Sequence, residues 1–381
     1  MTTPWRIPLI LTAGLLASPV TGMAGGETGL EFSGTGFMTL AAGKILSGTH
    51  DATVDQGFHC PCFISDYAQR GVYQAGAWQL GPDSRLGLQG TASADHGRYS
   101  VTGQVVSRGA MDGQADLEWL YATAELSGNL TLQVGRKRLP LFNHSEAQDV
   151  GFALPWVHLP PQLYGWEIVN YDGGSLVWRD QWAGWMPSVQ IFGGNETRKD
   201  SGYWQIYNGR HTRTDTRWSN ILGTEFSLNR DWFSARVIRI QSYTQNKGIT
   251  AGDTGFSDRK RQIVTGLSLG ADYGNWITRG EFLHIDRTQD YGKDYAQLLA
   301  VGYRLGAWQP LMSYTNYRQQ LNDATSAAEA HRTWSGVLRY DLTDASAVKI
   351  QADIWKDKST PGFASMHGDA KLLTISYDRV F

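Results

Sequence analysis

The 381-residue chain carries 34 Lys and Arg against 36 Asp and Glu, a formal net charge of −2, whereas a nucleic-acid binder would carry a basic excess. Its 44 Gly, 15 Trp and 17 Tyr accompany a negative mean hydropathy. Apolar residues are spread thinly, one at every second position, rather than in the blocks of Val, Ile and Leu that fill a soluble core.

The first element is MTTPWRIPLILTAGLLASPVTGMA, residues 1–24. One positive charge, Arg6, precedes an apolar run from Ile7 to about Val20, and small residues follow at Gly22-Met23-Ala24. These are the three regions of a secretory signal. The run is too short for a spanning helix, and no later segment offers 18 apolar residues in a row, so no transmembrane helix is expected. Excluding residues 1–24 leaves 25–381 as a single domain, because no Pro/Gly/Ser-rich linker divides it.

From there alternation runs almost to the end. Strands are predicted near 30–40, 85–94, 97–107, 117–127, 129–138, 166–180, 182–194, 217–229, 231–243, 260–273, 275–287, 294–306, 307–319, 330–343, 345–357 and 369–381. In AVKIQADIWKD, Val348, Ile350, Ala352 and Ile354 share one face, and Lys349, Gln351 and Asp353 share the other. Side chains of a strand alternate between sheet faces, so one face wants an apolar solvent and the other tolerates water. Most of these strands are longer than the usual soluble strand of about 5–6 residues, and longer than the 9–11 that a tilted strand needs to cross a bilayer. A soluble β-sandwich rarely needs such lengths.

Connections alternate between tight turns and longer polar segments at 41–84, 108–116, 139–165, 195–216, 244–259, 288–293, 320–329 and 358–368. One smooth rim and one loopy rim describe an all-β, sixteen-stranded antiparallel up-and-down transmembrane barrel. Aromatics gather near strand ends, among them Trp178, Trp218, Trp232, Tyr273, Trp276 and Trp308, as interfacial girdles do. The chain stops in mid-strand on an aromatic, LLTISYDRVF. Leu373, Ile375 and Tyr377 face one way there, and Thr374, Ser376 and Asp378 the other. In a closed barrel this strand pairs with LEFSGTGFMTL at 30–40.

The signal sequence, the strand opening SRLGLQG at Ser84–Gly90 and the final strand ending in Phe381 resemble those of Gram-negative outer-membrane porins. The segment RKRLPLFNHSEAQDVGFALPWVHLPPQLYGWE resembles the third loop of such porins, most closely in the phosphate- and dicarboxylate-selective branch. The resemblance implies a water-filled channel for passive diffusion of small hydrophilic solutes and a third loop folded into the lumen. It also implies outer-membrane lipids and the barrel-assembly machinery as partners, a homotrimer, and no cofactor. The machinery would read Tyr377 and Phe381 as an assembly signal, with Arg379 departing from the pattern.

Selectivity in such a channel is set by charges at the narrowest point. The third loop carries Glu146, Asp149, His144 and His158, and the strand entering it ends in Arg136, Lys137 and Arg138. Alternation places Arg85, Arg98, Lys137, Arg304, Arg339 and Lys349 inward, against the acids Asp272, Asp341 and Asp353. Opposed acidic and basic rows would set a field across the constriction. The excess of bases points to anion preference.

His59-Cys60-Pro61-Cys62 has zinc-ligand residue types, but the spacing does not suit the usual knuckle. In an exported chain a Cys60–Cys62 disulfide or free thiols remain open. Two other classes of function also remain open. One is a barrel enzyme, for which Ser268, His284 and Asp286 are the only nearby set, and no G-x-S-x-G, H-E-x-x-H or P-loop is present. The other is a plugged structural or receptor barrel.

Overall fold

The computed structural model describes residues 29–50, 57–248, 255–289, 291–363 and 368–381; the expected signal sequence at 1–24 lies outside them. In chain order the strands are β1 (Glu31–Gly48), β2 (Phe63–Asp66), β3 (Gly71–Tyr73), β4 (Arg85–Ala94), β5 (Tyr99–Arg108) and β6 (Ala115–Ser127). Next come β7 (Leu130–Arg138), β8 (Asn170–Arg179), β9 (Met186–Arg198), β10 (Thr214–Arg230), β11 (Phe233–Gly248) and β12 (Lys260–Tyr273). The series ends with β13 (Trp276–Arg287), β14 (Gly292–Tyr303), β15 (Trp308–Leu321), β16 (Ala330–Thr343), β17 (Ser346–Asp357) and β18 (Ala370–Val380). Among the described residues, β1 and β4–β18 form one closed antiparallel barrel of sixteen strands, while β2 and β3 form a separate hairpin in the first loop.

Closure falls where the sequence places it. β1 pairs with β18, Phe37 opposite Val380 and Ala41 opposite Ser376, and on its other edge with β4. Phe381 exchanges both backbone hydrogen bonds with Gly36. A Cβ at Gly36 would fall 2.3 Å from the Phe381 ring, so the glycine leaves room for that ring over β1. A closed sheet has no free edge, and this pairing ties down both ends of the barrel.

The faces follow the alternation. Outward positions hold exposed apolar residues such as Leu86, Leu88, Leu267, Leu269, Ile350, Ile354 and Ile375, and inward ones hold buried Lys349, Gln351, Asp353, Thr374, Ser376 and Asp378. Strands 85–94, 260–273 and 330–343 match expectation to the residue. The other strands shift at one or both ends, by one to eight residues, and three of these shifts bear on the site. β1 continues to Gly48, because Gly43, Lys44 and Ile45 keep the alternation and pair with β18, so the first loop begins at 49 and not 41. β8 begins at Asn170, because residues 166–169 belong to the lumen segment described below. β9 runs on to Arg198, and the loop after it carries a short helix, α2 (Gly202–Asn208).

Candidate functional site in the lumen

Residues 139–169 leave β7 and return to β8 through the inside of the barrel. Their apolar side chains explain why. Leu139, Leu141, Phe142, Leu154, Trp156, Leu163 and Trp166 are buried in one cluster with Ile238, Ile240, Val264, Leu283, Ile285, Leu298, Leu311 and Val337, inward residues of β11–β16. Burying such side chains is worth about 1.5–3 kcal/mol each, so this segment is driven onto that wall. Polar groups complete the seam. Trp156 Nε1 donates to Ser313 Oγ at 3.2 Å, and the Val157 amide to Gln351 Oε1 at 2.8 Å. Gln162, on the single turn α1 (Pro161–Tyr164), accepts from Thr315 at 2.9 Å and donates to Thr333 at 2.5 Å. The Tyr164 hydroxyl donates to Glu281. Wall cations take the segment's carbonyls. Arg339 donates to those of Phe152 and Leu154 at 2.6 and 3.0 Å, and Lys349 to those of Gly151 and Trp156 at 2.6 and 2.8 Å. A Cβ at Gly151 would fall 2.1 Å from Asp378 Oδ1, so the segment meets the wall there backbone first.

Two charged anchors hold the segment. Asp149 sits between Arg108, whose Nε and Nη2 donate at 3.1 and 2.8 Å, and Arg138. Glu118 closes the square, 2.6 Å from Arg108 and 3.3 Å from Arg138. Burial raises the Asp149 carboxyl, but the two guanidiniums outweigh it and hold the group well below the usual carboxylate range. The second anchor is His158, with Nδ1 3.0 Å from Asp83 and Nε2 3.3 Å from Asp353, and with Tyr73 donating to Asp83 at 2.9 Å. Burial lowers this imidazole, yet the two carboxylates push it up to about 10. His144 has the opposite setting. Both its ring nitrogens are buried without a partner, and burial, then Arg279 and Arg236, bring it down to about 3. At neutral pH one loop histidine is charged and the other neutral.

The segment's other edge is open. Asn143 and Glu146 are exposed, and Glu146 acts electrostatically on Tyr121, Lys137, Tyr171 and Arg236. The wall on that side is polar. Lys137 Nζ donates to Gln133 and to Ser175 Oγ (3.0 Å for the latter) and stands 5.5 Å from the Tyr121 ring. Thr123, Gln133, Gln190 and Glu225 are half-buried, and Arg179 is exposed.

The predicted site residues divide accordingly. Arg138 and Asp149 form an ion pair, and Arg85, Lys137, Arg339 and Lys349 face the interior. Arg85 keeps Nε and Nη2 buried without a hydrogen-bond partner. Most of the others are neutralised rather than free. Lys349 lies 3.0 Å from Asp378, Arg339 2.7 Å from Asp341, Arg304 2.8 Å from Asp272, and Arg136 2.8 Å from Glu196. Arg98 is not a constriction residue. It sits in the tight turn before β5 with its side chain 54% exposed, 3.9 Å from Asp95, because the strand begins only at Tyr99. Arg304 likewise lies between β14 and β15, at the turn-side mouth. Arg108, Glu118 and Glu281 were not anticipated; Arg108 shares an inward face with Thr102, Gln104 and Val106, and extending that alternation by one step would have found it.

Ser268 and His284 do not meet. Ser268 faces inward and donates to Glu281 at 3.1 Å, whereas His284 pairs with Thr265 on the outer face and stacks on Tyr295 at 4.8 Å. Cys60 and Cys62 are disulfide-bonded, with Cα atoms 4.3 Å apart. Among the described residues no group of three His, Cys, Asp or Glu side chains is placed to hold a metal ion.

No protein-family model and no curated protein matches the chain. Solved structures do. A loop-deletion form of OmpT, an outer membrane protein of Vibrio cholerae, superposes with a TM-score of 0.58 at 9% identity, over 93% of this chain and all 100% of that one. The outer membrane channel DcaP of Acinetobacter baumannii gives 0.56 at 11% identity over 93% and 98% of the two chains. The anion-selective porin from Comamonas acidovorans gives 0.55 at 13% identity over 92% and 100%. The chain has the sixteen-stranded porin fold. At these identities the likeness is one of architecture, and the lumen's chemistry must be argued from its own residues.

Proposed function

We propose that the chain is an outer-membrane channel of a Gram-negative bacterium, passing small hydrophilic solutes between the lumen segment and the wall of β6–β10. Export rests on the signal sequence. Membrane placement rests on the apolar outer face and on Tyr273, Trp276 and Trp308 at its turn-side edge, all exposed. The porin-like fold supports the same reading, with the barrel-assembly machinery reading the Phe381 strand and a homotrimer as the assembled form. The observation that carries the channel is the exposure of Glu146 on the segment's open edge, facing Lys137 and a polar wall. A fully plugged lumen would leave no reason for a carboxylate to stay wet there.

Most of the predicted basic excess is cancelled by ion pairs. What remains is Arg85, Lys137 and Arg179 against Glu146, which favours anions mildly. The large apolar seam of the segment supports a second reading, a closed receptor or structural barrel. Recording of the refolded protein in planar bilayers separates the two. Step-like conductance is expected, and its absence assigns the closed barrel. With a salt gradient, Arg85→Gln with Lys137→Gln should move the reversal potential toward cations. A unit charge acting across ~10 Å of water is worth ~0.4 kcal/mol, so the permeability ratio should change by about a factor of two per charge. An unchanged potential would remove both residues from the path.

A further inference from the structure

Four cations stand side by side on the outer face of the barrel near its loop side: Arg318 on β15, Arg332 on β16, Lys356 on β17 and Lys371 on β18. Arg332 lies directly opposite Lys356. Arg318 and Arg332 are diagonal neighbours through Arg318–Ala330, and Lys356 and Lys371 through Ile354–Lys371. Like charges facing each other across strands destabilise a sheet. Among the described residues only Lys356 has an acidic partner, Asp369 at 2.5 Å, while Arg318, Arg332 and Lys371 are exposed.

What lies beneath the row identifies what it faces. One step toward the turn side, Tyr314 and Trp334 pair across β15 and β16 with ring centroids 4.7 Å apart, and the Arg318 guanidinium is 5.0 Å from the Tyr295 ring. Further toward the turns the outward residues are Met312, Leu338, Ile350 and Ile375, all exposed. Apolar, aromatic, cationic is the order of acyl chains, interface and headgroups. The outer faces of β4–β6 lack this row: Leu86, Leu88, Val105 and Leu117 carry apolar character toward the loop side.

We propose that this row binds phosphorylated headgroups of lipids in the leaflet on the loop side. A phosphate at Arg332 gives that unpaired guanidinium a charge-assisted partner and adds a second acceptor to Lys356, whose charge Asp369 already shares. A soluble anion would make no use of the aromatic and apolar bands directly below. The inference rests on the membrane placement proposed above and not on conduction.

The test uses the full-length refolded protein in detergent, titrated with bisphosphorylated lipid A and with inorganic phosphate, and read by unfolding temperature and by lipid retained through gel filtration. Lipid A should bind the wild type about a hundredfold more tightly than the R318Q/R332Q/K371Q variant. If that variant does not fold, R332Q alone should lose about fivefold. Equal binding by wild type and variant would overturn the proposal, as would inorganic phosphate displacing lipid A at equal phosphate concentration. Bilayer conductance of the same samples keeps the two readings apart. A protein that binds lipid A without conducting keeps this inference and loses the channel. A conducting protein whose variant retains lipid A does the reverse.

Discussion

Along β11–β16 the inward positions include Ile238, Ile240, Val264, Leu283, Leu298 and Leu311, and along β6–β9 they include Tyr121, Thr123, Gln133 and Gln190. Both sets obey the same two-residue period, and both face the inside of one barrel. They differ in what covers them: the first is sealed under Trp156 and its neighbours, while the second is left to water and to Glu146. Alternation therefore assigns a side chain to a face, but the wetness of that face is decided by a segment far away in sequence.

The strongest way to break the contrast is to make the sealed side wet. Trp156 is fully buried, and truncating such a side chain costs about 3–5 kcal/mol. Trp156→Ala should lower the barrel's thermal stability and raise single-channel conductance, because the segment loses its hold on β11–β16. Conductance and noise identical to wild type would show that the seam does not restrict the path. Asp149→Asn attacks the seal from its charged end. Removing one partner of a buried pair costs about 3–5 kcal/mol, and here it leaves Arg108 and Arg138 facing each other with Glu118, and Asp116 at 3.9 Å from Arg108, to compensate. A similar loss of stability is expected, and a change under ~1 kcal/mol would mean the square is open to water.

The two histidines give a gentler handle. The folded value of His158 is raised to about 10, so its stabilisation is fully present below the ordinary value near 6.5 and is lost as pH rises through about 10. The folded value of His144 is lowered to about 3. Its neutral burial costs nothing above about 6.5, and stability falls as the pH drops from there toward about 3, because only the unfolded chain takes up the proton. Together they place the tightest hold on the segment near pH 6.5. Unfolding temperature followed against pH should peak there, and His144→Leu should flatten the acid limb alone. An acid limb that survives the substitution would assign it to the carboxylates.

How much of this was legible in advance follows the same line. Strand positions and closure of β1 on β18 follow from local period and turn spacing, whereas a lumen course for residues 139–165 is implied only by the resemblance to porin third loops. The dry half follows from neither. In β14, inward Leu298 adjoins outward Leu299, and in β11 inward Ile238 adjoins outward Val237, so a run of apolar residues hides which face is sealed. The charged square joins residues from β5, β6, β7 and the lumen segment. Arg108 and Asp149 are 41 positions apart, and nothing local marks them as partners. Charges counted as pore-liners turned out to be paired, because counting residues by face ignores their neighbours across strands.

The smallest expected effect tests the wet side. Glu146 is exposed and no hydrogen bond to its side chain is seen among the described residues, so Glu146→Gln should change stability by less than ~0.5 kcal/mol. Its charge faces Lys137 across the proposed path. Neutralising it should strengthen anion preference, opposite in sign to Lys137→Gln and of comparable size. Screening shortens the reach of both charges from about 30 Å at 0.01 M salt to about 10 Å at 0.1 M, so both shifts should shrink together as salt is raised. Shifts of the same sign would place one of the two outside the path. A Glu146 effect on stability as large as that of Asp149→Asn would mean the open edge is sealed as well, and the lumen would then have no wet side.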